Sequence, residues 1–115
     1  MAASDHDRRT EMIALLQEAI NVLIVPVESG FGFDYAMYHY GQEADNELSQ
    51  AFARAVEETG SGVRRRDAAR NIASQIDVPE VTAFIEAVIH ADEKGIDILE
   101  TLKDQAARIA RIAGA

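Results

Sequence analysis

The sequence contains no cysteine, only two prolines and few aromatic residues. The absence of cysteine excludes disulfide bonds and thiolate metal sites, and it is consistent with a reducing compartment. Hydrophobic residues make up 48% of the 115 residues, which excludes a wholly disordered chain. The length suits one domain with a single core.

A targeting or membrane-spanning segment is also missing from the sequence. The most apolar run, residues 19–27, includes Asn21 and Pro26 and is far shorter than the roughly 20 residues that a spanning helix needs. The first residues are acidic and lack the apolar region of a secretory signal. We therefore expect a cytoplasmic location, a disordered lead-in over residues 1–7 and one helical domain over residues 8–115.

Charge and motifs argue against several classes of function. The formal net charge of −9 disfavours a general binder of nucleic acid or anionic lipid. No GxSxG, Walker A, GxGxxG or HExxH signature occurs. The three histidines, His6, His39 and His90, lack metal-ligand spacing, and no EF-hand loop accompanies the acidic clusters. We predict no enzyme activity, no cofactor and no metal.

The apolar residues recur at helical spacing in six segments, which predicts an all-α fold. The segments are residues 8–29, 33–42, 47–58 and 63–76, a fifth that starts at Pro79 and a sixth that follows Asp97. Short connections favour antiparallel neighbours, so we predict a six-helix bundle built from three αα hairpins. The predicted core includes Leu23, Phe52, Phe84, Ile85, Val88 and Ile89.

A phrase of the form Glu-x-Gly occurs three times, each time between two apolar segments. The copies begin at Glu28, Glu58 and Glu93. They start 30 and 35 residues apart, which is too irregular for a strict solenoid repeat. Each copy is therefore interpreted as the bend of a helical hairpin.

The glycines of these phrases fit the position after a helix, where a positive φ is needed. They are Gly30, Gly60 and Gly95. The residues two positions further on are acceptable N-caps for the next helix. They are Gly32, Gly62 and Asp97.

Arg64, Arg65 and Arg66, together with Arg70, form the one basic cluster of this acidic sequence. The cluster opens the predicted fourth helix, where positive charge is unfavourable beside the positive end of the helix dipole. Two interpretations stay open. The cluster is either a solvated face or a docking spot for an acidic partner or phospholipid headgroups.

Residues 69–89 have the rhythm of a helix-turn-helix motif. The second helix of such a motif would read the major groove of DNA. Here that helix carries Glu80, Glu86, Asp92 and Glu93, and no basic residue before Lys94. Phosphates would repel it, so we expect no nucleic-acid partner, and DNA binding ranks below the functions described next.

Several stretches of the sequence follow one another in a recognisable order. The first runs from Val27 to Ala36 through Glu28, Gly30 and Asp34. The others are the arginine-rich opening of the fourth helix and residues 68–73, 78–85, 91–95 and 99–102. Together they resemble the F-type domain of type II secretion systems, and most closely the platform proteins of Tad/Flp pilus assembly, over about residues 8–113.

The resemblance implies a six-helix cytoplasmic domain of an inner-membrane platform protein. Such proteins are not enzymes, and they couple a cytoplasmic assembly ATPase to the insertion of pilin-like subunits. The implied partners are that ATPase and other platform components. Glu28, Gly30 and Gly95 match the glutamate and glycines at the family's hairpin turns, which implies a structural role for them.

One departure from the family pattern concerns the membrane. Family members carry transmembrane helices beside this domain, and this sequence shows none, so we expect an excised domain or a soluble relative. A free-standing helical interaction or regulatory module is the alternative function. We also expect a weak homodimer through the first or the sixth helix.

Overall fold

The computed structural model describes residues 5–114 of the chain and shows an all-α protein. Its six helices are α1 (Asp5–Glu28), α2 (Phe33–Glu43), α3 (Glu47–Gly60), α4 (Arg65–Ile76), α5 (Pro79–Lys94) and α6 (Ile98–Gly114). No strand occurs within these residues. The predicted fold class is confirmed.

Consecutive helices pack against each other, and α6 returns to pack against α1, so the chain closes into a ring. Helix α1 also contacts α3 and α5. Ion pairs give the directions of the helices. Arg9 at the start of α1 meets Glu80 at the start of α5, whereas Asp92 near the end of α5 meets Arg65 at the start of α4. Helices α4 and α5 are therefore antiparallel, and α1 runs in the same direction as α5.

The core runs through the centre of this ring. All predicted core residues, namely Leu23, Phe52, Phe84, Ile85, Val88 and Ile89, are buried. Tyr40 of α2 and Phe52 of α3 meet edge to face with ring centroids 5.4 Å apart, a favoured aromatic geometry. The i, i+3, i+4 pattern thus identified the inward faces correctly.

The predicted lead-in over residues 1–7 is wrong in its second half. Residues 5–7 form the first turn of α1, and residues 1–4 lie outside the described part of the chain. Asp5 and Asp7 place negative charge in that first turn. This charge complements the positive end of the helix dipole, so the acidic residues stabilise the first turn of α1.

Helix α1 meets the length and composition of a membrane-crossing helix, with a mean hydropathy of 1.5 over an 18-residue window. This window is twice as long as residues 19–27, and 33% of it is buried inside the bundle. Core helices of folded domains meet the same test. Leu16, Ile20 and Leu23 of α1 are fully enclosed by the other helices of the bundle.

The turn after α3 differs from the prediction. Gly30 and Gly95 have positive φ values of 95° and 67°, as predicted, but Gly60 is the last residue of α3. The positive φ, 103°, belongs to Gly62. The backbone N–H of Val63 donates to the carbonyl of Glu58 at 3.0 Å, which completes a Schellman turn around Gly62.

Two of the three predicted N-caps are confirmed, and the third, Gly62, is wrong. Gly32 is the N-cap of α2, with extended backbone. Asp97 accepts a hydrogen bond from the Leu99 N–H at 3.0 Å through its side chain, so it caps α6. Gly62 is not the N-cap of α4, because α4 begins three residues later, with Arg64 as its N-cap.

Candidate functional site

A cavity of about 370 Å³ lies where the start of α2, α4 and α6 meets the end of α5. Its lining is mainly apolar and includes Phe33, Met37, Ala69, Val88, Ile89, Ala91, Ile96 and Ile98. Gly32, Gly95, Asp34, Arg65, Arg66 and Asp92 complete it. We call this cavity, with its lining residues, the groove. Its size falls within the range of ligand-binding clefts.

Small residues and a tight turn leave this space open. Gly32, Ala69 and Gly95 line the groove without long side chains. The left-handed conformation of Gly95 ends α5 sharply and sends the chain directly into α6. Ile96, the next residue, is 47% exposed although it is a large apolar residue.

Arg65 bridges two helices at the rim of the groove. One guanidinium nitrogen lies 3.3 Å from Oδ2 of Asp34 on α2, and the other lies 2.6 Å from Oδ1 of Asp92 on α5. Hydrogen bonding to Asp92 and the charge of Asp34 raise the pKa of Arg65. All three side chains are more than half exposed, so water and ions reach these pairs.

The neighbouring arginines extend the row of ion pairs along α4 and α5. Arg66 lies 3.4 Å from a carboxylate oxygen of Glu93, and Arg70 lies 3.3 Å from one of Glu86. Arg64 is exposed, and within residues 5–114 its side chain takes part in none of the ion pairs.

These ion pairs explain why positive charge is tolerated at the start of α4. Arg65, Arg66 and Arg70 hold carboxylates of α2 and α5, and this offsets the unfavourable place of positive charge at the start of α4. The cluster is therefore exposed, as predicted, but largely neutralised within the chain. Its role in docking a partner stays a prediction.

Arg8 joins three helices at the opposite end of the bundle, a role that the sequence analysis did not predict. It forms a two-pronged pair with Glu47 at 2.8 and 2.7 Å, and it donates to the carbonyl of Ile76 at the end of α4 at 2.7 Å. Hydrogen bonding to Arg8 lowers the pKa of Glu47.

Arg9 forms the matching contact with α5. Its Nε donates to both carboxylate oxygens of Glu80 at 2.9 and 3.1 Å, and its Nη2 also donates a hydrogen bond to that carboxylate. Glu80 is 6% exposed, and hydrogen bonding to Arg9 lowers its pKa. Because Glu80 lies 71 residues from Arg9, no local sequence pattern indicates this pair.

Other chemistry finds little support in the described residues. Within residues 5–114, no group of three or more His, Asp or Glu side chains is arranged to hold a metal ion. The exposed part of α5, the would-be DNA-reading helix, carries Glu86, Asp92 and Glu93. Each of these carboxylates is paired with an arginine of α4, so this face offers phosphates little net positive charge.

The geometry thus defines a class, an all-α helical domain with an apolar groove and a charged rim. Comparison with protein-family models, curated proteins and solved structures finds no match for this chain. Its interpretation therefore depends on the groove and on the residues around it.

Proposed function

We propose that this protein is a scaffold domain that binds a segment of a partner protein in the groove. The observation that carries the proposal is the apolar lining itself. Phe33, Met37 and Ile96 border an open space of about 370 Å³, and a partner side chain placed there would remove apolar surface from water.

The ionic rim supports a protein partner. Arg65 and Asp92 are paired with each other but are more than half exposed, and exposed ion pairs contribute little net stability. A partner that brings its own charged residues can exchange with these pairs at little cost. Such a rim gives orientation and specificity around an apolar centre.

The resemblance to platform proteins supplies the identity of the proposed partner. In that interpretation the partner is the cytoplasmic ATPase of the same secretion or pilus system, and the domain transmits contacts between this ATPase and other platform components. A free-standing regulatory module would use the same groove with a different partner.

A groove-filling variant tests the proposal. Ala69→Leu places a larger side chain in the groove, and Ala110→Leu makes the same change at an exposed position on α6 outside it. Capture of the proposed partner, the cytoplasmic ATPase of a secretion or pilus system, should fall with Ala69→Leu and persist with Ala110→Leu. Denaturant unfolding confirms that both variants are folded. Equal capture by both variants would refute binding in the groove.

A charge exchange tests the rim. Reversing Arg66 alone would place Glu beside Glu93 and add repulsion within the chain, whereas Arg66→Glu with Glu93→Arg keeps the pair in the opposite sense. Both variants should weaken ATPase binding if Arg66 meets a partner carboxylate. Wild-type binding should also decline with added salt.

Restoration of binding by the exchanged pair would show instead that only the pairing within the chain matters. A duplex-DNA mobility assay at about 0.15 M salt runs alongside. A shift of DNA that disappears with the Arg66 change would replace the scaffold proposal with the DNA-binding alternative.

A further inference from the structure

Aromatic residues are concentrated in one short part of this protein. The chain has four phenylalanines and three tyrosines, and five of these seven lie within residues 31–40. Three of the five, Phe31, Tyr35 and Tyr38, are about half exposed. We call these three residues the aromatic strip.

The rings of the strip are ordered against each other. Phe31 and Tyr35 stack with centroids 4.6 Å apart, and Tyr38 lies 6.3 Å from Tyr35. His39 stacks on Tyr35 at 6.3 Å. Neighbouring rings restrict one another's movement, so a ligand would meet a preformed surface and little side-chain entropy would be lost on binding.

The strip lies beside the groove, because its three residues are absent from the groove lining, whereas Asp34, one turn before Tyr38, belongs to it. Met37 and Tyr40 of α2 point into the core, while Tyr35 and Tyr38 lie on the opposite, exposed face. Contiguous exposed apolar surface of this kind marks sites of interaction. The strip is therefore a second surface beside the groove.

The charge around the strip points to a cation. The sequence between Arg9 and Arg54 holds seven acidic residues and no Lys or Arg. Glu28 flanks the strip in sequence and is exposed, whereas Asp34, within it, is already paired with Arg65.

We propose that the aromatic strip binds a basic, arginine-containing segment of a partner protein. Aromatic faces attract cations, and the planar guanidinium group stacks on them better than a lysine ammonium group does. The surrounding carboxylates add attraction over a longer range. This proposal is independent of the groove and of the identity of its partner.

Binding of short labelled peptides to the whole protein tests the proposal. The probes are three fluorescein-labelled peptides in which Ser alternates with Arg, with Lys or with Glu. Their binding is measured by fluorescence anisotropy. The Arg peptide should bind more tightly than the Lys peptide, and the Glu peptide should not bind. Equal binding of the Arg and Lys peptides would contradict stacking on the strip.

Variants separate ring chemistry from charge. Tyr35→Leu and Tyr38→Leu keep apolar bulk but remove the aromatic face, so each should weaken the Arg peptide about two- to five-fold. Glu28→Gln should weaken both basic peptides and reduce the salt dependence. Glu100→Gln, the same charge change at an exposed position of α6, should have a smaller effect.

Other occupants of the strip would overturn the proposal in recognisable ways. Unchanged peptide affinity in the two Leu variants would remove the strip from the binding site. Co-sedimentation with neutral phosphatidylcholine vesicles that is lost in these variants would assign the strip to a membrane surface. Loss of a concentration-dependent dimer in the same variants would assign it to self-association.

Discussion

Gly60 and Gly62 lie two residues apart, yet alanine should have opposite effects on stability at the two positions. Gly60 is the last residue of α3 and has a negative φ, whereas Gly62 has a φ of 103°. A Cβ atom at either position would meet no atom within 4 Å. Backbone conformation alone therefore decides the result.

The magnitudes follow from that conformation. Alanine at a compatible glycine position stabilises by about 0.4–1 kcal/mol, because it restricts the unfolded chain, and this applies to Gly60. A side chain at positive φ costs on the order of 1–3 kcal/mol. After the same unfolded-state gain is subtracted, Gly62→Ala should lose roughly 1–2 kcal/mol.

Urea unfolding followed by circular dichroism at the helical band measures both changes. The two variants should differ by about 2 kcal/mol in free energy of unfolding, with equal slopes against denaturant. Gly62→Asn should lose less than Gly62→Ala, because Asn tolerates the left-handed region better. A stabilising Gly62→Ala, or a Gly60→Ala that is the worse of the two, would refute this assignment of the turn.

Three further predictions concern the core, acid stability and assembly. Phe84→Ala should cost about 3–5 kcal/mol, since Phe84 is fully buried, while truncating the exposed Val25 should cost little in the same unfolding assay. The ion pairs of Glu47 and Glu80 should contribute fully to the free energy of unfolding above the ordinary Glu pKa of 4.5. This contribution should be lost as the pH falls through the lowered pKa values of the two residues. Replacing both with Gln should flatten the resulting decline in stability, and an equally steep acid transition would contradict the role of these pairs. Sedimentation velocity over a concentration series should reveal the weak homodimer, and a strict monomer up to about 1 mM would exclude it.

The helices and their buried faces could be predicted because both depend on local pattern. Phe84, Ile85, Val88 and Ile89 recur at i, i+1, i+4 and i+5, which places them on one face of the helix, and each contributes to the core. Pro79 occupies the first turn of α5, as its missing N–H favours. These features require only that one face of each helix be apolar, which the sequence states directly.

The prediction for the turn after α3 was wrong because the spacing of the glycines alone does not show which glycine has a positive φ. A Schellman turn also favours an apolar residue after its glycine. Phe31 follows Gly30, Val63 follows Gly62 and Ile96 follows Gly95, whereas polar Ser61 follows Gly60. The pair Gly-apolar therefore distinguishes the correct glycine, and the sequence contained enough information to find it.

The ion pairs could not be predicted, since each joins residues far apart in the chain. Glu80 lies 71 residues from Arg9, and Arg65 lies 27 residues from Asp92. Charge pattern along one helix indicates which face is solvated but gives no partner on another helix. The groove is equally non-local, because its lining comes from four helices.

The two ends of the bundle differ in the burial of one ion-paired carboxylate, Glu80, and this difference supports the proposed place of the binding site. At one end, Glu80 is buried and held by Arg9, so breaking this pair would leave a carboxylate without its partner in a poorly solvated place. At the other end, Arg65 and Asp92 are exposed and border an apolar groove. Solvated charges can change partners readily, whereas buried ones cannot. The first end therefore stabilises the ring of helices, and the second end is suited to exchange its contacts with another protein.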